Sequence, residues 1–302
     1  MNRLRAAIRG AGEALALSAH FAAPQHVDAV ARAQSWGPRR LQRLVDGLLL
    51  EGLLLADADA RVRAADRWPT GDRGAPGAAL LAQIIQRDRP FDPNQDGLSL
   101  RVESAALSVA GLLSDATGAP ARELGARLAT TLPTTGTCLD AGGGWGDVLA
   151  VLLAETSEIR AVLVDRTDRV AMARQRLARH AARLETVSAD LVAYAPAPFA
   201  DVALLNNVLH EHGPRTGATL VARVAHTLRA GGELWIKEPT RGGAEALRAC
   251  LFALGAAIFT AEGDLYDAAT IRTWMTDAGL TDIRTFTLAS APEATVYAGR
   301  RP

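Results

Sequence analysis

Apolar and polar positions alternate with different periods in the two halves of the chain. From residue 136 onward, short apolar runs of strand length are separated by longer stretches whose apolar residues recur at helical spacing. The predicted strands are 137–141, 160–165, 186–190, 201–206 and 233–238, and the predicted helices between them are 146–155, 167–184 and 216–229. This alternation predicts an α/β fold, with a doubly wound and mostly parallel sheet connected by right-handed crossovers.

The last part of the chain has a different pattern. A predicted helix at 268–278 stops at Gly279, and two strand signals, 282–288 and 294–300, follow with only a short Ser-Ala-Pro link between them. Strands joined in this way cannot be parallel neighbours, because a parallel connection needs a dozen or more residues. The sequence therefore predicts a seven-stranded Rossmann-like sheet that ends in an antiparallel hairpin.

The first hundred residues are predominantly helical. Apolar residues recur at helical spacing over 23–36 and 37–54, and two short extended pieces around an Asp-Ala-Asp turn follow at 53–66. Two helices followed by a small β-wing form a winged-helix pattern. A region rich in proline and glycine at 68–97, around a short helix at 78–86, indicates a boundary. We predict a winged-helix-like domain at 1–97, a helical linker at 98–135 and the α/β domain at 136–302.

The composition narrows the class of protein. The 302 residues are 49% hydrophobic and carry a formal net charge of +0, which indicates a globular chain with no general attraction to nucleic acid or membranes. No apolar run is long enough to span a bilayer, and the N-terminal residues lead into no signal-peptide core. We therefore expect a cytoplasmic protein. Cys138 and Cys250 match neither a metal-binding spacing nor a disulfide framework, so no metal site is predicted.

The stretch CLDAGGGWGDVL joins the first strand of the predicted sheet to a helix. Gly142, Gly144 and Gly146 would let a ligand approach the backbone near the helix N-terminus. A dinucleotide-binding turn has the pattern G-x-G-x-x-G, but Asp147 occupies the place of its third glycine. Asp140 would repel a pyrophosphate, whereas S-adenosylmethionine carries no phosphate and has a cationic sulfonium and ammonium. The turn therefore favours S-adenosylmethionine as the ligand.

Two further acids lie at the ends of the next two predicted strands. Asp165 can accept both hydroxyls of a ribose, and Asp190 can accept from the amino group of an adenine. A single aspartate at a strand end often only caps the next helix, but three at successive strand ends indicate a nucleoside site. Leu191, next to Asp190, and Asn206, at the end of the fourth predicted strand, complete the predicted cofactor-binding residues.

These motifs carry a resemblance to a known family. The stretch 136–300 resembles the class I S-adenosylmethionine-dependent methyltransferases, and the whole chain is similar to the plant-type and bacterial small-molecule O-methyltransferases. LDAGGGWGDVL corresponds to that family's glycine motif, LNNVLHEHGP to the segment with its catalytic histidine, and LRAGGELWIKEP to the following turn and strand. The resemblance implies a homodimer formed through the N-terminal domain. It also implies that the 98–135 linker contributes to the pocket of a small aromatic or polycyclic, natural-product-like acceptor.

By this resemblance His210 is the general base that takes a proton from the acceptor hydroxyl. The family usually has an acid and a tryptophan after this histidine, whereas Glu211 and His212 stand here. Glu211 keeps the acid and is assigned to the catalytic group. His212 is an alternative base or, with Asn207, a substrate-binding residue. Glu238 ends the fifth predicted strand and would orient His210 or contact the substrate. A metal bound by the two histidines and Glu238 is a weaker alternative.

Three other functions remain open from the sequence. The altered residues after His210 are compatible with methylation at nitrogen or carbon, or with a relative that keeps the cofactor pocket but no longer transfers the methyl group. A ligand-sensing DNA-binding regulator is the third. It is suggested by the winged-helix pattern and by Arg39, Arg40 and Arg43 on its second predicted helix. The balanced charge of the first hundred residues argues against it.

Overall fold

The computed structural model describes residues 2–92, 118–241 and 245–302, which divide into two compact units. The first unit contains the described residues up to 92 together with 246–264, and the second contains 118–241, 245 and 265–302. Residues 98–117 of the predicted linker lie outside the described residues. The three-part division predicted from the sequence therefore stays a prediction.

The described helices and strands are named in chain order. The helices are α1 (Asn2–Ala14), α2 (Leu17–His20), α3 (Val27–Gln34), α4 (Pro38–Leu50), α5 (Ala78–Arg87), α6 (Gly118–Thr131), α7 (Asp147–Glu155), α8 (Thr167–Arg176), α9 (Pro214–His226), α10 (Ala246–Phe259) and α11 (Ala268–Asp277). The strands are β1 (Leu54–Ala56), β2 (Val62–Ala64), β3 (Thr135–Ala141), β4 (Glu158–Asp165), β5 (Leu184–Ser188), β6 (Ala200–Asn206), β7 (Leu228–Pro239), β8 (Thr281–Leu288) and β9 (Ala291–Arg300). None of the helices in these ranges is both long and apolar enough to cross a bilayer.

The second unit is built on a seven-stranded sheet in the order β5-β4-β3-β6-β7-β9-β8. The first five of these strands are parallel to one another, and β9 is antiparallel to both β7 and β8. From β3 the chain adds β4 and β5 on one side and then returns to place β6 on the other side of β3. The carboxyl ends of β3 and β6 therefore border an open crevice. The α/β fold, the parallel core and the final hairpin are confirmed.

Two predicted boundaries differ from the structure. Strand β5 ends at Ser188, so Asp190 lies two residues beyond it and its Oδ1 accepts the backbone N–H of Val192 at 2.9 Å. The single helix predicted at 167–184 is divided into α8 and a 3₁₀ helix, Ala178–Arg183. Arg183 donates to backbone carbonyls at the end of α7 and the start of β4, so side-chain contacts distant in sequence hold this second piece.

Each face of the sheet carries its own hydrophobic core. One face, here called face A, is covered by α6, α7 and α8, and its core includes Cys138, Leu204 and Trp235. The other, face B, is covered by α9 and α11, and its core includes Leu205 and Ile236. Because successive side chains of a strand point to opposite faces, the face of each polar residue at a strand end follows from these core residues.

The first unit has the predicted pair of helices followed by a small hairpin. Strands β1 and β2 pair antiparallel after α3 and α4, and the apolar side of α4 is buried through Leu41, Leu44 and Leu48. Helix α10 also belongs to this unit, because Leu254 and Ile258 join the same core. The chain thus leaves the sheet unit after β7 and returns to it before α11.

The three arginines of α4 are bonded within the first unit. Arg39 donates to the carbonyls of Thr260 at 3.1 Å and Ala261 at 3.0 Å, and Arg40 donates to the carbonyl of Ala257 at 3.0 Å. Arg43 forms an ion pair with Asp264 at 2.9 Å. Cations at a helix C-terminus satisfy its unpaired carbonyls and complement its dipole. These contacts give the three arginines a structural role at the end of α10. They weaken the DNA-binding alternative, because the arginines already have partners within the unit.

Replacing Arg40 should destabilise the first unit. Its buried guanidinium bonds the carbonyls of Ala257 and Thr260 and the carboxylate of Asp88. Hydrogen bonds from charged groups contribute about 2 to 3 kcal/mol, so we expect Arg40→Met to lower the free energy of unfolding by this amount in urea denaturation. Arg63, which is exposed and contacts only the neighbouring carbonyl among the described partners, is the matched control. Equal losses for Arg40→Met and Arg63→Met would contradict this role.

Candidate active site

A cavity of about 720 Å³ opens at the carboxyl ends of the central strands of the second unit. Ligands of open α/β sheets bind at this edge, where the loops after the parallel strands converge. Nine of the residues singled out from the sequence line this cavity: Gly142, Gly144, Asp165, Asp190, Leu191, Asn206, Asn207, Glu211 and His212. The folded chain therefore brings together residues from four separate strand ends.

The glycine turn between β3 and α7 is shaped by left-handed backbone conformations. Gly142, Gly144 and Gly146 have φ of 78°, 56° and 76°, and residues other than glycine rarely adopt such values. Gly143 lies so close to Asp140 that an added Cβ would be 2.8 Å from its carboxyl carbon. The turn thus places backbone on the wall of the cavity, and Gly146 forms the N-cap of α7 behind it.

Asp165 holds this turn in place. Its Oδ2 accepts the N–H of Gly144 at 2.8 Å, and its Oδ1 accepts the N–H of Arg166 at 2.7 Å. Each carboxylate oxygen has a further lone pair, so these bonds leave acceptor capacity on the cavity side. Asp165 therefore shapes the glycine turn and can also accept from ligand hydroxyls.

Asp140 lies behind the turn and is almost fully buried, with 1% of its surface exposed. Burial, together with the charges of Asp165 and Asp147, raises the pKa of Asp140 to about 7. Its Oδ1 has no hydrogen-bond partner among the described residues. A buried carboxylate without a partner is destabilising, and a cation that reaches it would restore its charge.

A second polar group lies at the ends of β6 and β7. Asn206 is paired in register with Lys237, and its Oδ1 is also buried without a partner among the described residues. Asn207 adopts a left-handed conformation with φ 57°. Its N–H donates to the carbonyl of Lys237 at 2.8 Å, and its Oδ1 accepts from the Lys237 ammonium at 2.9 Å. These two bonds fix the segment after β6 against β7.

His210 and Glu238 form a buried pair. The Nδ1 of His210 lies 2.9 Å from Oε2 of Glu238, and Oε1 of Glu238 accepts the N–H groups of Val208 and Leu209 at 2.6 Å each. Because a carboxylate only accepts, Nδ1 carries the hydrogen and Nε2 holds the lone pair of the neutral imidazole. Burial lowers the pKa of His210, but the charge and hydrogen bond of Glu238 outweigh burial and raise it.

Glu211 and His212 lie on the wall of the cavity, whereas His210 and Glu238 are not among its lining residues. Burial lowers the pKa of the half-buried His212, so its imidazole is more readily neutral than that of His210. The carbonyl of His212 accepts from the hydroxyl of Tyr266, whose ring also packs against Trp274. The loop is thus fixed at both histidines, by Glu238 at one and by Tyr266 at the other.

The cavity also has three basic lining residues for which the sequence predicted no role. Lys237 lines it although its side chain is buried, and Arg166 and Arg169 line it near Asp165. A charged residue inside the apolar run ELWIKEP was the available signal for Lys237. In the described ranges, no group of three or more histidine, cysteine, aspartate or glutamate residues is arranged to hold a metal ion. The arrangement suits a ligand with hydroxyl groups and positive charge.

Comparison with known proteins gives a consistent match. Residues 110–281 match the family model of the O-methyltransferase domain, more than half of the chain. The tetracenomycin polyketide synthesis 8-O-methyl transferase TcmO of Streptomyces glaucescens is 28% identical over 298 residues, which cover 88% of this chain and 84% of that protein. The 3-hydroxy-5-methyl-1-naphthoate 3-O-methyltransferase of Streptomyces sahachiroi is 27% identical over 235 residues, 74% of this chain and 66% of that protein.

A solved structure has the same fold. The crystal structure of an O-methyltransferase family 2 protein from Planctomyces limnophilus DSM 3776, in complex with apigenin, matches with a TM-score of 0.72. The two are 22% identical, and the match covers 99% of this chain and 94% of that chain. A likeness at this level of identity establishes the fold.

The buried carboxyl of Asp140 should make stability depend on pH. Its pKa of about 7 lies above the ordinary value of 3.8, so the folded protein holds a proton that the unfolded chain releases. The contribution of this proton to the free energy of unfolding is complete below about pH 4 and is lost as the pH rises through about 7. We expect Asp140→Asn to be more stable than the wild type at pH 8, by up to about 4 kcal/mol, with the difference falling toward pH 4.

Urea denaturation at several pH values measures this difference. The exposed Asp168, whose side chain is 70% accessible, provides the matched Asp168→Asn control, and at pH 8 this variant should gain much less than Asp140→Asn because surface substitutions change stability little. An Asp140→Asn variant that gains no more than this control at pH 8 would contradict the burial of a protonated carboxyl.

Proposed function

The chain belongs to the O-methyltransferase family, and we propose that it methylates a hydroxyl of a small aromatic or polycyclic natural product with His210 as the general base. It is an S-adenosylmethionine-dependent enzyme. When bound, this cofactor supplies a methyl group on a sulfonium, which an oxygen nucleophile can attack. The hydrogen bond between Nδ1 of His210 and Oε2 of Glu238 carries the assignment of the base.

The polar atoms of the cavity fit S-adenosylmethionine. Asp140 and Asn206 each have a buried oxygen without a partner among the described residues, and both oxygens can accept from an ammonium group. Asp165 would accept from the ribose hydroxyls. Asp190 and Leu191 would lie against the adenine. The acids would attract the cationic cofactor and repel a pyrophosphate.

His210 is suited to take the proton of an acceptor hydroxyl. Glu238 fixes the imidazole so that Nε2 holds the lone pair, and its buried charge stabilises the imidazolium that forms when Nε2 takes the proton. Glu211 is exposed at the rim and adds negative charge beside the histidine. The residues otherwise act by positioning, since aligning two reactants contributes most to a displacement of this kind.

The proposed acceptor follows from the relatives. Their names describe a polyketide and a hydroxynaphthoate as substrates, and the solved neighbour was crystallised with apigenin. Both relatives are named as O-methyl transferases, which supports a hydroxyl oxygen as the acceptor atom. Transfer to nitrogen or carbon would give a different labelled product, whereas chemistry without methyl transfer would change the acceptor and leave the cofactor unconsumed.

His212 remains the alternative base, because its side chain lines the cavity and its pKa is lowered by burial. Asn207 has its amide oxygen bonded to Lys237, so it would contact the substrate through its amide nitrogen. We also propose that the N-terminal domain forms a homodimer. This proposal rests on the family resemblance.

Replacing His210 should remove the reaction while cofactor binding remains. A positioned general base contributes roughly 10²–10⁴-fold, so we expect His210→Asn to lower kcat by this factor. We expect His212→Asn to raise KM and to change kcat less than about tenfold. Labelled cofactor with a panel of phenols, indoles and amines measures both effects. Calorimetry with S-adenosylhomocysteine checks that each variant still binds.

A larger loss of kcat in His212→Asn than in His210→Asn would assign the base to His212. Methylation of amines alone would contradict transfer to oxygen. Binding of the cofactor without methylation of any acceptor would contradict the proposed function.

Replacing Glu238 should shift the pH dependence of the reaction. The base form of His210 appears as the pH rises through its pKa, which Glu238 holds above the ordinary value of 6.5 against the effect of burial. In Glu238→Gln the burial remains without the charge, so the rise in kcat/KM should move to lower pH. Its plateau should also fall, because a glutamine amide that donates to Nδ1 selects the wrong tautomer.

The matched control is Glu211→Gln, because Glu211 raises the pKa of His210 less strongly than Glu238 does. Its profile should move less. An unchanged midpoint in Glu238→Gln would show that His210 does not control the rate.

A further inference from the structure

Lys237 is the single lysine of the chain and lies in the interior of the second unit. It belongs to β7, and only 5% of its surface is exposed. Burying an ammonium group is unfavourable unless it is paired, and lysine is among the residues least often buried. The hydrogen bond to the neutral amide of Asn207 at 2.9 Å provides one acceptor for its three N–H donors. Lys237 also lines the cavity, so a ligand bound there can accept from the remaining donors.

Three polar side chains at neighbouring strand ends share face A of the sheet. Asp140 is two residues after Cys138, Asn206 is two after Leu204, and Lys237 is two after Trp235; the three apolar residues belong to the face A core. Their strands, β3, β6 and β7, are adjacent. The three groups therefore form a row across the centre of the sheet, with two oxygen acceptors followed by a cation.

This row is complementary to a zwitterion. The free oxygens of Asp140 and Asn206 can accept from an ammonium group, and Lys237 can donate to a carboxylate. S-adenosylmethionine ends in an amino acid that carries both groups on one carbon. We infer that Lys237 is the cofactor-binding residue that holds the carboxylate of the methionyl part. This inference rests on the proposed function.

The other cations of the cavity lie at its opposite end. Arg166 and Arg169 follow Asp165 at the end of β4, which is three strand positions away from β7. Neighbouring strands are about 4.8 Å apart, so this separation is roughly 14 Å. With the ribose at Asp165 and the ammonium between Asp140 and Asn206, the carboxylate faces β7.

A bound carboxylate would also improve the surroundings of Lys237. Burial lowers the pKa of Lys237, while the carboxylates of Glu238 and Glu293 act to raise it. Glu238 is already bonded to His210 and to two backbone N–H groups. A ligand carboxylate on the cavity side would therefore add to the effect of these two charges and help to keep the ammonium charged.

A pair of ligands that differ by one group tests this inference. S-adenosylhomocysteine and its decarboxylated analogue share the adenosine, the sulfur and the amino group. In calorimetry on the wild type, we expect the carboxylate to improve affinity roughly tenfold to hundredfold, the range for a charged hydrogen bond. In Lys237→Met this preference should disappear, with the affinity for the decarboxylated analogue unchanged. Methionine is unbranched and apolar, so its side chain can fill the space of the lysine side chain.

The matched control is Arg166→Met, which removes an exposed cation from the other end of the cavity. It should retain the full preference for the carboxylate. Lys237→Gln, which keeps a donor for Asn207, gives a second variant if the methionine protein is unstable in a thermal melt. It should lose the preference in the same way.

Several results would overturn the inference. A wild type with equal affinity for both ligands would do so without any variant. An equal loss for both ligands in Lys237→Met and Lys237→Gln would assign Lys237 to folding. Unchanged affinities with a raised KM for the acceptor would assign it to the acceptor site. Failure of the wild type to bind S-adenosylhomocysteine at all would instead contradict the proposed function.

Discussion

The carboxylate of Glu238 is the constraint on which the geometry beyond β6 depends. One oxygen accepts the N–H groups of Val208 and Leu209, and the other is bonded to His210. A short segment leaving a strand end has unsatisfied backbone donors, and a buried carboxylate can satisfy several of them at once. The same group therefore fixes the backbone, orients the imidazole and provides the charge that raises its pKa.

The remainder of the site is organised by charge along the strand ends. Asp165 fastens the glycine turn through the N–H of Gly144, and the turn in turn covers Asp140. The carboxyl group of Asp140 is thus kept in the interior although its burial lowers the stability of the fold. Such unfavourable features are common at binding sites. Lys237 lies at the other end of the row that begins at Asp140, so this row runs from a carboxyl group to an ammonium group.

The first unit shows how arginines can be mistaken for a binding surface. Arg39 and Arg40 point from α4 to the carbonyl groups at the end of α10, more than two hundred residues later. A helix end leaves four carbonyls without intrahelical partners, and guanidinium groups satisfy them well. Periodicity alone placed these arginines on a helix of a winged-helix pattern, but it contained no information about their partners.

Local patterns by themselves determined the sheet, the closing hairpin and the glycine turn, because strand periodicity and glycine spacing are properties of neighbouring residues. They also identified Asp165 and Asn206 as strand-end residues, since parallel strands bring their carboxyl ends to one edge, whereas Asp190 lies two residues beyond the end of β5. Only the tertiary structure decided that Asp165 bonds the glycine turn, that α10 joins the first unit and that Lys237 enters the cavity. Each of these depends on contacts between residues far apart in sequence, and burial and hydrogen-bond partners of that kind arise only when the chain has folded.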